Sequence, residues 1–351
     1  QPTESIMLAT SIFETDLKPL DVVENVTREQ FDRDIRPAGK PVILKNLVGE
    51  WPSVKAGSSS LEILADYFRA LDVGASTPTF IAPPKVKGRY FYTEDMRQFT
   101  FEKRDVPLRA MIDKLIEQQN DPEPLGIYAG ASPTVNTLPR FGESNPMPLL
   151  DAEIIPKVWI SNSAQIAPHF DISENIACLV SGQRRFVIFP PEQIENLYVG
   201  PIDYNMAGQP ASLVDLTDID HAKFPKFGAA MASAQEAELS PGDALYLPSL
   251  WWHFVESKGP FNVLVNYWWD DLKHGSPMNV LALALLVLRD LPTNERAAWE
   301  TVFNHYVFAK DAPSAAKHIP EPFRGALGDA SPNRDASIKA FLRAMLPSVL
   351  S

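Results

Sequence analysis

Between residues 123 and 270 the chain is cut into short runs of β-branched and aromatic residues, and Pro, Gly and Asn make the cuts. The runs read KVWIS, NIACLV, RRFVIF, ALYLP, WWHFVE and FNVLVNYWW. Each has the length of a strand and is flanked by turn formers. Many short strands at close spacing suit a sandwich or barrel; a parallel α/β sheet would separate its strands by helical patterns. Proline strengthens the point. There are 32 in 351 residues, well above the usual ~5%, which disfavours long helices and suits strands joined by stiff loops. Ser240-Pro241-Gly242-Asp243 has Pro second and Gly third, the pattern of a tight turn. It feeds a strand from Ala244 to Leu247.

The flanks read differently. Thr27 with Gln30 forms a capping-box pattern ahead of Phe31 and Ile35. Residues 41–45 (PVILK) read as a buried strand. Ser59 with Glu62 repeats the capping pattern before Leu61, Leu64, Ala65 and Phe68, which share one helical face. Asp105 and Pro107 are expected to open a helix bearing Leu108, Met111, Ile112 and Leu115. From about residue 277 the pattern is helical: Trp299, Val302, Phe303 and Tyr306 recur at i, i+3, i+4 and i+7, as do Ile338, Phe341, Leu342 and Met345. The stretch 313–332 between them reads as a loop.

Charge and cysteine content exclude several classes. Acidic residues outnumber basic ones by 44 to 32, for a formal charge of −12. That balance argues against a broad phosphate-binding surface, so nucleic acid is not the expected partner. The single cysteine, Cys178, excludes an internal disulfide and a multi-cysteine zinc site, and it fits a reducing compartment. In its apolar strand Cys178 is expected to be packed rather than reactive. The longest purely apolar run covers residues 280–288, and a membrane span needs about 20. The opening stretch QPTESIMLATSIFETD has neither the basic start nor the apolar core of a signal peptide. A cytoplasmic protein without membrane attachment is therefore expected.

The segment that carries chemistry is Ala167-Pro168-His169-Phe170-Asp171. On a strand, His169 and Asp171 would point to one face. His253 follows in another strand-like run, after a turn, a strand, Pro248 and the Trp251-Trp252 pair. Two histidines and a carboxylate form the facial triad of non-haem Fe(II) oxygenases, which leaves open coordination positions. Taken alone, His-x-Asp is a common pattern, and most lone histidines are surface or hydrogen-bonded core residues; the context supplies the specificity. His221, His274, His305 and His318 lack such context and are not expected on the iron.

The ordered text HFD, SGQRRFVIFPPEQIENLY, PGDALYLPSLWWHFVES and VLVNYWW resembles the JmjC and cupin-like 2-oxoglutarate oxygenases. Within them it looks most like the factor-inhibiting-HIF-like, asparaginyl hydroxylase branch. The resemblance is strong over residues 156–270 and weaker but continuous over 40–155; in the tail it rests on helical character alone. It implies a mainly β, double-stranded β-helix (jelly roll) with flanking N-terminal helices and a helical C-terminal tail. The expected divisions are an N-terminal α/β flanking region (1–122), a jelly-roll metal-binding core (123–275) and a helical tail (276–351).

The resemblance also implies the site. His169, Asp171 and His253 would hold Fe(II), and 2-oxoglutarate would bind it as cosubstrate. Arg184, two residues after Gly182, takes the place of the lysine that grips the distal carboxylate in that branch. A guanidinium can grip a carboxylate bidentately but is bulkier than an ammonium. Arg185, on the other side of the strand, is the reserve candidate. Ile166 stands where the branch has a threonine that helps hold the same carboxylate, so Arg184 must find other help. Tyr128 in Gly126-Ile127-Tyr128-Ala129-Gly130 matches a cosubstrate-contacting tyrosine, with core packing as its other reading. Asn175 and Asn266 match positions lining the cosubstrate and iron pocket; amides buried in apolar strands need partners. Trp268 shares an inward face with Asn266, as Trp251 does with His253; core packing is the alternative for both.

The expected function is an Fe(II)/2-oxoglutarate-dependent hydroxylase acting on a protein side chain or a small molecule. The other class is a non-catalytic metal-binding cupin module, which would have no need of Arg184 or the two asparagines. A homodimer through the C-terminal helices is also expected. A jelly roll supplies its own core, the run 280–288 is apolar on nearly every side, and the branch it resembles dimerises through helices at this end.

Overall fold

A computed structural model describes residues 10–350, so most of the opening stretch read for a signal peptide lies outside the described residues. The chain divides into two compact units, Gln1–Asp271 and Leu272–Ser351.

In the first unit, strand alternation sorts side chains onto the two faces of the sheet. The strands are β1 (Lys18–Pro19), β2 (Val22–Glu24), β3 (Val42–Lys45), β4 (Ser76–Ala82), β5 (Glu102–Pro107), β6 (Gly126–Pro133), β7 (Lys157–Ser161), β8 (Ala164–His169), β9 (Glu174–Phe189), β10 (Gln235–Leu239), β11 (Ala244–Leu247) and β12 (Trp252–Trp269). All belong to one hydrogen-bonded mixed sheet of 12 strands that folds on itself as a mainly β jelly roll. Strands from before residue 123 are part of it: β3 pairs with β11, and β4 with β6.

The two long strands β9 and β12 run antiparallel from Trp252↔Phe189 to Trp269↔Glu174 and serve both walls of the roll. The first half of β9 pairs with β11 and its second half with β10. The first half of β12 pairs with β8 and its second half with β7. NIACLV and RRFVIF are therefore two halves of one strand, as are WWHFVE and FNVLVNYWW. The joints are glycines in left-handed backbone, Gly182 (φ +91°) and Gly259 (φ +101°). At Gly182 a Cβ would stand 1.9 Å from Asn262 Oδ1, the atom that accepts the Gln183 N–H at 3.1 Å. The bend needs glycine for both conformation and space. It also inverts the strand's parity. Before it, Ala177 and Leu179 face the interior of the roll; after it, Phe186 and Ile188 do.

The opposite face of the wall, with Ile176, Cys178, Val180, Val263 and Val265, packs against Phe31, Leu64, Phe68 and Ile112 from the N-terminal helices. Thr27 caps its helix as expected, accepting the Gln30 N–H at 3.2 Å. The next cap is Ser60, which accepts the Ile63 N–H at 3.2 Å. Ser59 instead ends the preceding helix Pro52–Ser59, and its hydroxyl bonds back to the Lys55 carbonyl. Asp105 does not open a helix: it lies in β5 opposite Pro78, and the helix Leu108–Glu117 starts only after Pro107. The charged, exposed sequence of β5 has no apolar alternation; its pairing with β4 makes it a strand.

The second unit contains the helices Pro277–Val287, Thr293–Phe303 and Pro332–Leu350. Short 3-10 turns, Ala312–Ser314, Glu321–Phe323 and Gly325–Leu327, punctuate the expected loop. Ser276 caps the first helix through the Met278 N–H, and Pro277 fills its first turn, where no donor is needed. No residue of that helix is buried; Val280 is 61% exposed and Leu286 62%. Among the described residues no helix is long and apolar enough to cross a membrane.

Candidate active site

β8 ends at His169, and the register of β12 places His253 directly beside it. The two imidazoles lie 4.3 Å apart between ring centroids. Asp171 sits just past the strand end. Its loop is fastened to the segment before β12: the Asp171 carbonyl accepts the Leu250 N–H at 2.9 Å, and the Ser249 hydroxyl donates to the Ile172 carbonyl. Leu250 takes left-handed backbone (φ +67°), which lets the chain turn into β12. One ligand atom from each of His169, Asp171 and His253 lies within 4.8 Å of the others.

The imidazoles are held in one tautomer. His169 Nδ1 lies 2.9 Å from the Ala167 carbonyl, and His253 Nδ1 lies 3.0 Å from the Trp251 carbonyl. A carbonyl only accepts, so each Nδ1 carries a proton, which leaves Nε2 as the atom each ring can offer a metal. Burial and the neighbouring His169 push His253 down to about 4, against a weaker opposing pull from Asp171, so His253 is neutral, as a metal ligand must be.

Behind the triad runs a chain of amides. Asn175 Nδ2 donates to Asp171 Oδ2 at 3.3 Å, Asn266 Nδ2 donates to Asn175 Oδ1 at 3.2 Å, and Trp159 Nε1 donates to Asn266 Oδ1 at 2.7 Å. Asn175 and Asn266 are thus brought to the site and find their partners in each other. Trp159 went unnoticed in the sequence, although alternation in KVWIS puts Lys157, Trp159 and Ser161 on one face. Trp268 packs edge-on against Trp159 with centroids 5.8 Å apart.

The two consecutive arginines go opposite ways. Arg185 is bidentate to Glu236 on β10, with Nε at 3.0 Å and Nη2 at 2.6 Å. Arg184 is only 4% exposed, and its Nε and Nη2 have no hydrogen-bond partner among the described residues. Tyr128 on β6 is buried against Trp159 and Tyr90, with centroids 5.8 and 5.4 Å away. Burial pushes its phenol up to about 12, with Arg184 pulling it down and Asp171 pushing it up, so Tyr128 feels both the arginine and the triad. Ile166 lies among the apolar residues around Tyr128 and offers no donor. His274 pairs with Asp335, and both belong to the second unit, whereas the triad residues belong to the first.

The fold belongs to a known class. Residues 28–274 match the cupin-like domain family, and the chain belongs to that family, with relatives in the JmjC/Fe(II)–2-oxoglutarate oxygenase superfamily. It is 25% identical over 242 residues to Jumonji C domain-containing protein 5 of Drosophila melanogaster, covering 66% of this chain and 55% of that protein. It is 25% identical over 269 residues to tRNA wybutosine-synthesizing protein 5 of Gallus gallus, covering 70% and 74% respectively. Lysine-specific demethylase 8 of Xenopus tropicalis is 26% identical over 228 residues, 62% of this chain and 45% of that protein. The chain therefore spans about half the length of the first and third of these relatives. They do not single out the asparaginyl hydroxylase branch.

Proposed function

We propose that the chain is an Fe(II)- and 2-oxoglutarate-dependent hydroxylase. The observation that carries this reading is Arg184. A guanidinium buried in the roll with two unpartnered nitrogens costs several kcal/mol unless an anion joins it. A metal-only cupin would gain nothing from that cost, whereas the distal carboxylate of 2-oxoglutarate would offset it. Two imidazoles and one carboxylate within 4.8 Å of one another are a donor set that suits Fe(II).

In this reading His169, Asp171 and His253 hold the metal through the two Nε2 atoms and the carboxylate. Arg184 grips the distal carboxylate, with Tyr128 beside it. Asn175, Asn266 and Trp159 fix the Asp171 carboxylate in orientation. Leu179, Phe186 and Ile188 keep the interior dry. When bound, the iron and cosubstrate supply the oxidising chemistry, and the protein supplies position and exclusion of water. The prime substrate is a protein side chain, as the resemblance to the hydroxylase branch suggests, or a small molecule; the net charge of −12 supports these over nucleic acid. A cytoplasmic setting is supported by the lone buried thiol of Cys178. Anaerobic mixing with Fe(II) and then 2-oxoglutarate should give a visible charge-transfer band, and admitting air should release succinate. Metal binding without a response to 2-oxoglutarate would indicate the non-catalytic module instead.

The reading extends to a homodimer through the C-terminal helices. The helix Pro277–Val287 is apolar around its circumference and has no buried residue, and Trp299, Val302 and Tyr306 are exposed on the next stretch. That is more apolar surface than a soluble monomer usually leaves bare, and a two-fold contact would let the same helices cover one another. Light scattering at micromolar concentration should give the mass of two chains, and Leu285→Arg should reduce it to one. A single-chain mass for the unmodified protein would refute the dimer.

A further inference from the structure

Lys157 opens β7 opposite Asn266 on β12, on the same side of its strand as Trp159. Its ammonium stands 4.0 Å from the centroid of the Trp268 ring. Trp268 is braced by Trp159, whose indole N–H anchors the amide chain that ends on Asp171. Two donors at this spot lack acceptors. Among the described residues, the buried Trp268 Nε1 has no partner and no carboxylate pairs with Lys157. The amine is half-buried, so burial disfavours its charge while Asp171 favours it. With Fe(II), the cosubstrate dianion, Asp171 and Arg184 in place the centre would be formally neutral. The Lys157 charge is then in excess, held on an aromatic face beside the metal site.

We propose that Lys157 selects the prime substrate by ion-pairing with a carboxylate that the substrate carries, with Trp268 as the platform beneath the pair and the indole N–H as a second donor. The assignment rests on the hydroxylase reading. A single ammonium on a ring, in a chain of net charge −12, matches one carboxylate rather than a polyanionic backbone. The carboxylate could belong to a small acid or to an acidic side chain of a protein, and the two call for different probes.

The test uses matched pairs: N-acetyl-aspartate against N-acetyl-asparagine, and an aspartate-containing heptapeptide against its asparagine twin. Each is titrated into the whole protein loaded with redox-silent Zn(II) and 2-oxoglutarate, following tryptophan fluorescence. Each is then added to the Fe(II) form, following succinate release. In at least one pair the acid should act at about tenfold lower concentration than the amide, the effect of a partly buried ion pair. The pair that responds identifies the source. Lys157→Met should abolish the preference, Lys157→Arg should keep it, and Lys157→Glu should reverse it towards lysine-bearing peptides. No acid preference in either pair overturns the assignment, as does a preference that survives in Lys157→Met. Should Lys157→Met lose the anaerobic charge-transfer band, Lys157→Gln carries the same comparison; loss in both would make Lys157 part of the loading site and overturn the assignment too. An unmodified protein that forms no band fails the hydroxylase reading and this inference with it, whereas a band without acid preference fails only the role of Lys157.

Discussion

Asp171→Ala is expected to weaken Fe(II) binding by more than about 100-fold and to end succinate release. Removing an outer partner of a metal ligand costs about 10–100-fold, so removing the ligand itself should cost more. Asp171 is the only anion among the three donors brought together here. Without it, two neutral imidazoles would face a dication with no charge to match. The fold should survive, because the Asp171 backbone carbonyl still accepts from Leu250 and the loop stays fastened. Titration with Fe(II) under argon, with near-UV circular dichroism as a check on packing, gives the answer. Wild-type affinity in this variant would move the metal site elsewhere.

Arg184→Ala should leave Fe(II) affinity nearly unchanged and weaken 2-oxoglutarate binding by about 2–4 kcal/mol, the scale for losing a buried charge-assisted partner. The apo protein should become no less stable, because the substitution removes a buried cation with unpartnered nitrogens. That pairing of a large binding loss with no stability loss separates a ligand contact from a structural ion pair. Arg185→Ala should do the reverse: it breaks a bidentate contact to Glu236 and should cost stability while sparing cosubstrate affinity. A larger cosubstrate effect at 185 than at 184 would assign the carboxylate to the wrong wall.

The legible part of the fold was the part written in short-range alternation. KVWIS is β7 to the residue, and the Ser240-Pro241-Gly242-Asp243 turn closes with the Asp243 N–H on the Ser240 carbonyl. Motif order was enough to bring His169, Asp171 and His253 into one reading, because a register between β8 and β12 needs only the two strands to be present. The joining of runs into β9 and β12 was not legible, since a glycine inside a strand looks like a turn until its neighbour, Asn262, is seen to accept the next N–H. β5 was missed because its residues are charged and its pairing is long-range. Ser60 displaced Ser59 as a cap because two helices abut there, and only the backbone angle of Ser60 decides which serine starts the second. Trp159 escaped notice because a tryptophan in an apolar strand reads as packing; its indole N–H acquires meaning only when Asn266 stands in front of it.

The flip of parity at Gly182 makes the proposed anchor for the cosubstrate a property of a neighbourhood rather than of one residue. Arg184 on β9 lies directly opposite Leu239 on β10 and Ser257 on β12 in the strand register. A cation arising at 239 or 257 would enter the roll from an adjoining wall while the metal triad stayed where it is. The anchor can therefore migrate between strands over evolutionary time in paired steps, gained at one position before it is lost at another. Distant relatives of this chain that lack a basic residue at the position of Arg184 should be searched at those two neighbours before they are scored as inactive.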